Sequence, residues 1–209
     1  MKGVNLRLLA GLAVVSLLAI LGLALLRPSS PAARPAAPGL RDASVLPAAL
    51  VGRPAPEIRL RDDTGATFDT ASLAGRPYAV TFLYTSCPDV CPLIGNELRQ
   101  ALIELGPLAS KVAVVGVSVD PTGDTPAAVR AWLKVHREPA NFHYLIGTAA
   151  TLTPVWKAYF ALPQTPGDPQ SSHSATIWLV DGHGRRRALI TAGIPVPAGD
   201  LAYDLRALL

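Results

Sequence analysis

Cysteine occurs twice in the 209-residue chain, and both copies stand in one stretch, Tyr84-Thr85-Ser86-Cys87-Pro88-Asp89-Val90-Cys91-Pro92-Leu93. An apolar, strand-like run, Tyr78-Ala79-Val80-Thr81-Phe82-Leu83, leads into it, and a helix-like run leads out from Pro92. If the chain from Pro88 winds into helix, positions i and i+4 share a face, so the sulfurs of Cys87 and Cys91 point the same way. At a helix N-terminus, unpaired N–H groups and the helix dipole favour thiolate. Thiolate is the form that binds a metal and the form that attacks a disulfide, so two chemistries compete. Two thiolates suit a soft ion, and Cu(I) is the soft ion that needs few ligands. A closed zinc site wants four ligands, which two cysteines and four histidines supply poorly. Copper is therefore the preferred reading, with thiol redox chemistry as its rival, and a third ligand must come from elsewhere in the chain.

The elements around this stretch follow from periodicity and breakers. Residues 57–60 alternate, Asp63-Thr64-Gly65 reads as a turn, and residues 66–68 can pair back as a hairpin. Residues 78–84 form a strand. From Pro92 to Gly106 the leucines and Ile94 recur at helical spacing, and Gly106-Pro107 stops the helix. Residues 112–119 are apolar and mostly β-branched, as in a strand covered on both faces. A helix then starts at Asp124-Thr125-Pro126 and runs to about His136, with Thr125 or Asp124 as its cap. A strand at 142–146 follows, then a helix at 151–160 entered through Thr153-Pro154, and a polar loop at 162–172. Strands at 175–180 and 187–192 flank the tight turn Asp181-Gly182-His183-Gly184, and a last helix spans 197–209. The order β-β, β-α-β-α-β-α, β-β-α predicts an α/β three-layer domain of thioredoxin-like layout. It has a central mixed sheet, flanking helices and an N-terminal hairpin extension.

Within that layout the four histidines separate. His136 lies late in a helix, where a cation complements the dipole. His143 sits in or beside a strand and reads as packed, and His183 at a hairpin tip reads as solvated. His173 follows the polar loop and immediately precedes a strand, at the end of the sheet where a thioredoxin-like layout puts the start of the first helix. It is the candidate third ligand. Thioredoxins have two residues between their cysteines and a cis-proline before the corresponding strand. Here three residues intervene, and Ser172-His173-Ser174 has no proline. A peroxidase-like reading would use one cysteine with threonine and arginine nearby; Thr85 is close in sequence, but no arginine is placed. Asp120, ending a central strand on the edge where sites in open α/β sheets form, could support the site or touch a partner. Asp124 reads as a helix cap or its neighbour. Asp89 could lend negative charge near a cation or serve the first helical turn.

The N-terminal region differs in character. Leu8 to Leu26 is uncharged with Ser16 as its one polar side chain, 19 residues, which at about 1.5 Å per residue matches a hydrocarbon core of about 30 Å. The length favours an uncleaved signal-anchor over a cleaved signal peptide. The organisation expected is a transmembrane helix within 1–27, a Pro/Ala-rich tether over 28–51, and a folded domain over 52–209 lying outside the cytoplasm. From Gly52 onward 14 Lys plus Arg balance 14 Asp plus Glu, so the net +4 of the chain comes from the N-terminal region. Nothing in that balance suggests a nucleic-acid face. Arg185-Arg186-Arg187 reads as a solvated hairpin end.

Three motifs together resemble the Sco/SenC family of copper chaperones for cytochrome c oxidase assembly. Cys87-Pro88-Asp89-Val90-Cys91-Pro92 is similar to its Cys-Pro-x-x-x-Cys-Pro signature. Ser118-Val119-Asp120-Pro121-Thr122-Gly123-Asp124-Thr125-Pro126 resembles its Ser-x-Asp-Pro-x-x-Asp-Thr block. His173-Ser174-Ala175-Thr176-Ile177-Trp178-Leu179-Val180-Asp181 resembles its His-x-x-x-x-x-Leu-x-Asp block. The resemblance implies one copper, Cu(I) or Cu(II), per chain held by Cys87, Cys91 and His173. It implies an upstream copper donor and service to the CuA centre of oxidase subunit II or another extracytoplasmic copper protein, as copper donor, as reductase of its cysteines, or both. It also implies single-pass anchoring in a bacterial inner membrane with the domain in the periplasm. Two positions depart from the pattern: Trp178, where Tyr is common, and Ser171-Ser172, where an acidic residue often adjoins the histidine. The alternative on the same residues is an extracytoplasmic thiol–disulfide oxidoreductase using Cys87 and Cys91, with copper binding secondary.

Overall fold

The alternating and apolar runs resolve into a sheet with helices on both faces. In the computed structural model the described residues are 40–41, 46–165, 174–191 and 197–209, all within one compact unit, Pro35–Leu209. The elements are β1 (Arg59–Asp62), β2 (Thr67–Asp69), β3 (Tyr78–Leu83), α1 (Val90–Leu105), β4 (Ala113–Ser118), α2 (Pro126–His136), β5 (Phe142–Ile146), α3 (Ala149–Ala158), β6 (Thr176–Val180), β7 (Arg186–Thr191) and α4 (Ala198–Ala207). The seven strands form one mixed sheet in the order β2-β1-β5-β4-β3-β6-β7. β3, β4 and β5 run parallel, with Leu83 opposite Ser118 and Val117 opposite Leu145. β6 returns antiparallel beside β3, and β7 beside β6. The N-terminal hairpin is part of this sheet, because β1 pairs antiparallel with the end of β5.

All six residues of β3 and all six of β4 are buried, which is why both runs read as continuously apolar. The two faces have different partners. Phe82 and Trp178 meet the ring of Tyr159, just past α3. The adjacent Leu83 points the other way, towards Phe142 across Gly116, and Phe142 and Tyr144 pack on Trp132 of α2. Helix α1 packs against α4. Parallel strands make the carboxyl ends of β3, β4 and β5 a single edge of the sheet, and the loops that leave it carry most of the unusual residues of the chain.

Three details differ from the sequence reading. Helix α3 begins before residue 151: Thr148 caps it and accepts the Thr151 N–H, so Pro154 lies inside the helix and does not open it. The hydroxyl of Thr153 bonds back to the Ala149 carbonyl at 2.7 Å, in the turn that contains the proline. Helix α1 begins at Val90, with Asp89 as its cap, so Pro92 is its third residue. Leu40 and Arg41, within the stretch expected as tether, belong to the folded unit, and Arg41 is tied to α4. Leu40 is buried, the Arg41 N–H donates to Asp204 at 2.5 Å, and its guanidinium reaches Asp200 and the Tyr203 ring. The expected membrane span at 8–26 lies outside the described residues, and among the described residues no helix is long and apolar enough to cross a membrane.

Candidate metal centre

The strand β3 delivers its chain to the site edge at Tyr84, and the loop from Thr85 to Asp89 turns it into α1. Two features fix that turn. The Cys87 N–H bonds the Tyr84 carbonyl at 3.2 Å, and the Asp89 carboxylate caps the helix by accepting the Val90 N–H at 2.5 Å. Cys91 then falls in the first turn of α1, and its N–H points at the sulfur of Cys87, 3.3 Å away. Both cysteines are buried thiols with no disulfide between them, Cys91 completely and Cys87 at 5% exposure. The predicted juxtaposition of the two sulfurs is therefore present, but not by sharing a helix face: the helix does not start at Pro88, and Cys87 sits in the loop before it while Cys91 alone lies in its first turn.

The two sulfurs are not equivalent. The Cys91 thiol donates to Cys87, and so do the N–H groups of Asp89 and Cys91 and the hydroxyl of Tyr84. Led by the Cys91 thiol and working against burial, these donors bring the Cys87 thiol down from an ordinary 9.0 to about 6. When Cys87 keeps its proton, the S–H points to Asp89 Oδ1 at 3.8 Å. The same contact acts in reverse on Cys91. Its donation to Cys87, its burial and the charge of Cys87 push its thiol well above the usual range. Tyr84 is likewise raised, by burial first and then by the charge of Cys87, so it stays a hydroxyl donor at neutral pH. The arrangement thus offers one thiolate-ready sulfur and one protonated sulfur in contact.

The acidic residues singled out from sequence divide. Asp89 takes the helical role considered for it, capping α1, and stands beside Cys87. The carboxylate of Asp120 closes its own loop, accepting the Thr122 N–H at 3.2 Å, the Thr122 hydroxyl at 2.9 Å and the Gly123 N–H at 2.9 Å. A side chain at position 123 would come within 2.2 Å of that carboxylate, so the turn requires Gly123. Asp124 is not the helix cap: Thr125 caps α2, its hydroxyl accepting the Ala128 N–H at 3.2 Å. Asp124 instead turns inward at 5% exposure, behind the cysteine loop. The sequence reading missed it, along with Tyr84 and Tyr144. The available signal was chemical: a tyrosine within the buried run of β5 needs a partner for its hydroxyl, and the nearest carboxylate by topology leaves the same sheet edge.

Of the histidines, His143 stacks on Phe68 with centroids 4.3 Å apart, His136 stacks on Trp132 at 4.3 Å, and His183 is exposed in the β6–β7 turn. None of the three joins the cysteines. His173 lies outside the described residues. The residues on either side of residues 166–173 do reach the site edge: the Gln164 N–H bonds the Val119 carbonyl at 3.0 Å, and the Leu162 N–H bonds the Ser174 hydroxyl at 2.8 Å. Among the described residues no three His, Cys, Asp or Glu side chains are grouped to hold a metal ion. The described donor set is thus two soft sulfurs, which fits a thiophilic ion and leaves a coordination position to be supplied.

Comparison with known proteins agrees with this geometry. A sequence model of the SCO1/SenC family matches residues 53–209. A relative from Stutzerimonas stutzeri named putative copper-binding protein is 32% identical over 145 residues, 67% of this chain and 70% of its own. The structure of Bradyrhizobium japonicum ScoI with copper bound is 31% identical, with a TM-score of 0.62, covering 74% of this chain and 99% of that one. BsSco, described with a disulfide switch and as a member of the Sco family of cytochrome c oxidase assembly proteins, shares the fold at 20% identity. Its TM-score is 0.64 over 74% of this chain and 92% of its own.

Proposed function

The chain belongs to the SCO1/SenC family, and we propose that it binds one copper ion through Cys87, Cys91 and His173 and hands it to an extracytoplasmic copper protein, the CuA centre of cytochrome c oxidase subunit II. The observation that carries this reading is the sulfur pair at the start of α1, with Cys87 held towards thiolate by the Cys91 thiol and by N–H groups of the first turn. Thiolate sulfur is a strong ligand for Cu(I), and an imidazole adds a donor that Cu(II) also accepts. Support for His173 is its place in the chain, one residue before Ser174, which is tied to Leu162. The copper named for the Stutzerimonas and Bradyrhizobium relatives supports the cargo. In this reading residues 8–26 anchor the chain in the bacterial inner membrane and the domain works in the periplasm. Anaerobic titration of the full chain with Cu(I) is expected to saturate at one ion. If His173→Ala binds Cu(I) and Cu(II) with unchanged affinity and spectrum, the three-ligand site is wrong.

A second reading rests on the inequality of the two thiols. A thiolate-ready Cys87 beside a protonated, fully buried Cys91 is the arrangement of an attacking sulfur and its resolving partner. In that reading the chain reduces the paired cysteines of its target: Cys87 attacks one sulfur of the target disulfide, Cys91 displaces the mixed disulfide, and the target leaves as a dithiol. Incubation of the reduced chain with an oxidised subunit II peptide separates the readings. Failure to transfer two electrons leaves metal transfer alone.

A further inference from the structure

The turn that ends α2 breaks two local rules in adjacent residues. Arg137 takes a left-handed conformation, φ 55°, where glycine is usual. Its N–H bonds the Lys134 carbonyl at 3.2 Å, and the Glu138 N–H bonds the Leu133 carbonyl at 3.0 Å. That pair of bonds makes a Schellman turn, in which the residue at the place of Glu138 is commonly apolar and packs back on the helix. Here it is a carboxylic acid, and both of its oxygens are buried without a hydrogen-bond partner among the described residues. The acid is turned towards α1. A side chain at position 95 would come within 2.6 Å of Glu138 Oε1 and 2.9 Å of Trp132 Cη2, so α1 needs Gly95 to admit both. Gly95 lies one turn beyond Cys91, on the same side of α1.

A carboxylate buried without donors is strongly disfavoured as an anion, whereas the neutral acid can stay in such a notch. Burial accordingly pushes Glu138 up to about 8, against the opposing pull of Arg99. Arg99 is the charged group of α1 that acts on it. Its Nη2 donates to Asn96 at 2.7 Å, but its Nε is buried without a partner among the described residues. Glu97, two residues from Gly95, faces another side of α1. From α2, His136 stacks on Trp132 at 4.3 Å, and burial pushes its imidazole down, towards neutral. Arg137 is exposed. An acid with two free acceptors and a guanidinium with a free donor thus stand on either side of one helix contact, not bonded to each other. We propose that Glu138 is a proton-operated clasp between α1 and α2: the neutral acid fills the notch at Gly95, and the ionised group leaves it to pair with Arg99, loosening the seat of the helix that carries Cys91. The proton passes to solvent, and no covalent bond to carbon or sulfur changes. The closed clasp titrates at about 8 and an opened one near the ordinary 4.5, so opening becomes more favourable as pH rises between those values and levels off above them.

The clasp stands whichever chemistry the cysteines carry, so the test uses the metal-free full chain and reads neither thiol. NMR follows three signals from about pH 4 to 9: the Glu138 carboxyl carbon, the Arg99 Nε–H, and the nuclear Overhauser contact between the Trp132 ring and the Gly95 α-proton, which points where a Cβ would stand. In the unchanged protein the carboxyl midpoint should lie about two units or more above the ordinary 4.5. Through that midpoint the Arg99 Nε–H should shift as it gains an acceptor, and the Trp132–Gly95 contact should be lost. Glu138→Gln cannot ionise, so the contact should persist and the Arg99 signal stay flat across the range. Gly95→Ala fills the notch and should return the Glu138 midpoint to within about one unit of 4.5. A midpoint already in the ordinary range in the unchanged protein overturns the proposal. So does a Trp132–Gly95 contact that survives ionisation, or an Arg99 signal that ignores it, since an acid that is merely buried would leave both unmoved. A Glu138 midpoint that stays raised in Gly95→Ala overturns it as well. If Gly95→Ala does not fold, the unchanged protein and Glu138→Gln decide alone.

Discussion

The inequality of Cys87 and Cys91 makes a quantitative prediction about alkylation. With Cys87 at about 6 and an ordinary thiol at 9.0, Cys87 at pH 7 is about 90% thiolate and an ordinary thiol about 1%. That ninety-fold advantage does not appear in the rate, because nucleophilicity falls with basicity. A drop of about three units with a Brønsted slope near 0.45 costs about twenty-fold, leaving Cys87 only several-fold faster than a free thiol at pH 7. The midpoint of the pH–rate profile is therefore the decisive observable. Iodoacetamide trapping of the metal-free chain from pH 4 to 9, resolved by mass spectrometry, should place the Cys87 midpoint near 6. Cys91, buried and protonated, should stay unmodified until the chain unfolds. Cys91→Ala removes the largest stabilising donor while sparing the backbone N–H groups of Asp89 and Cys91 and the Tyr84 hydroxyl. The Cys87 midpoint should then rise by about one unit or more. The truncation itself empties little volume, so the melting temperature serves as the control for general loosening. A wild-type midpoint at or above about 8, or a Cys91→Ala profile that does not move, refutes the assignment of the thiolate to Cys87.

Other positions give sharper tests of stability than of chemistry. Both carboxylate oxygens of Glu138 are buried without a hydrogen-bond partner, and burial pushes the group up to about 8. Between the ordinary 4.5 and about 8 the folded chain keeps a proton that the unfolded chain releases, so stability should fall as pH rises through that window. Allowing for a side chain that can swing towards water, the loss is about 1–2 kcal/mol by pH 8, and urea titrations of Glu138→Gln should show the slope abolished. Asp120→Ala strands the N–H groups of Thr122 and Gly123 and should cost about 1–2 kcal/mol in urea unfolding. Its Cu(I) stoichiometry should stay at one per chain, and a loss of copper binding without a loss of stability would instead give Asp120 the supporting role at the site that its position on the sheet edge suggested.

Much of the fold was legible because periodicity is a local property. The buried runs of β3 and β4, the Thr125-Pro126 start of α2 and the Asp181–Gly184 turn each announce themselves within a few residues. The start of α3 did not, because Pro154 resembles a first-turn proline and the true cap, Thr148, precedes it by six residues. The cysteine pair was legible for the same local reason. Asp124 was not: its neighbours in sequence suggest a cap, and its four hydrogen bonds to Thr85, Ser118 and Tyr144 exist only once three strands have met at one edge. Tyr84 was hidden similarly, since a strand-end tyrosine looks like packing until its hydroxyl is seen to bond Cys87.

The metal and redox readings are less separate than they look, because both must pass through the same proton. Binding a thiophilic ion with two sulfurs requires Cys91 to give up the proton it shares with Cys87. Resolving a mixed disulfide on Cys87 requires that proton to leave as well, since Cys91 must attack as thiolate. In the resting pair that loss is opposed four times over, by the hydrogen bond to Cys87, by burial, by the Cys87 charge and by the charge of Asp124. An arriving cation, or an electrophilic disulfide that consumes the Cys87 charge, offsets or removes that charge in either case. On either reading Cys91 becomes available only after Cys87 has engaged its partner, so the two readings differ in which partner, metal or disulfide, reaches Cys87 first.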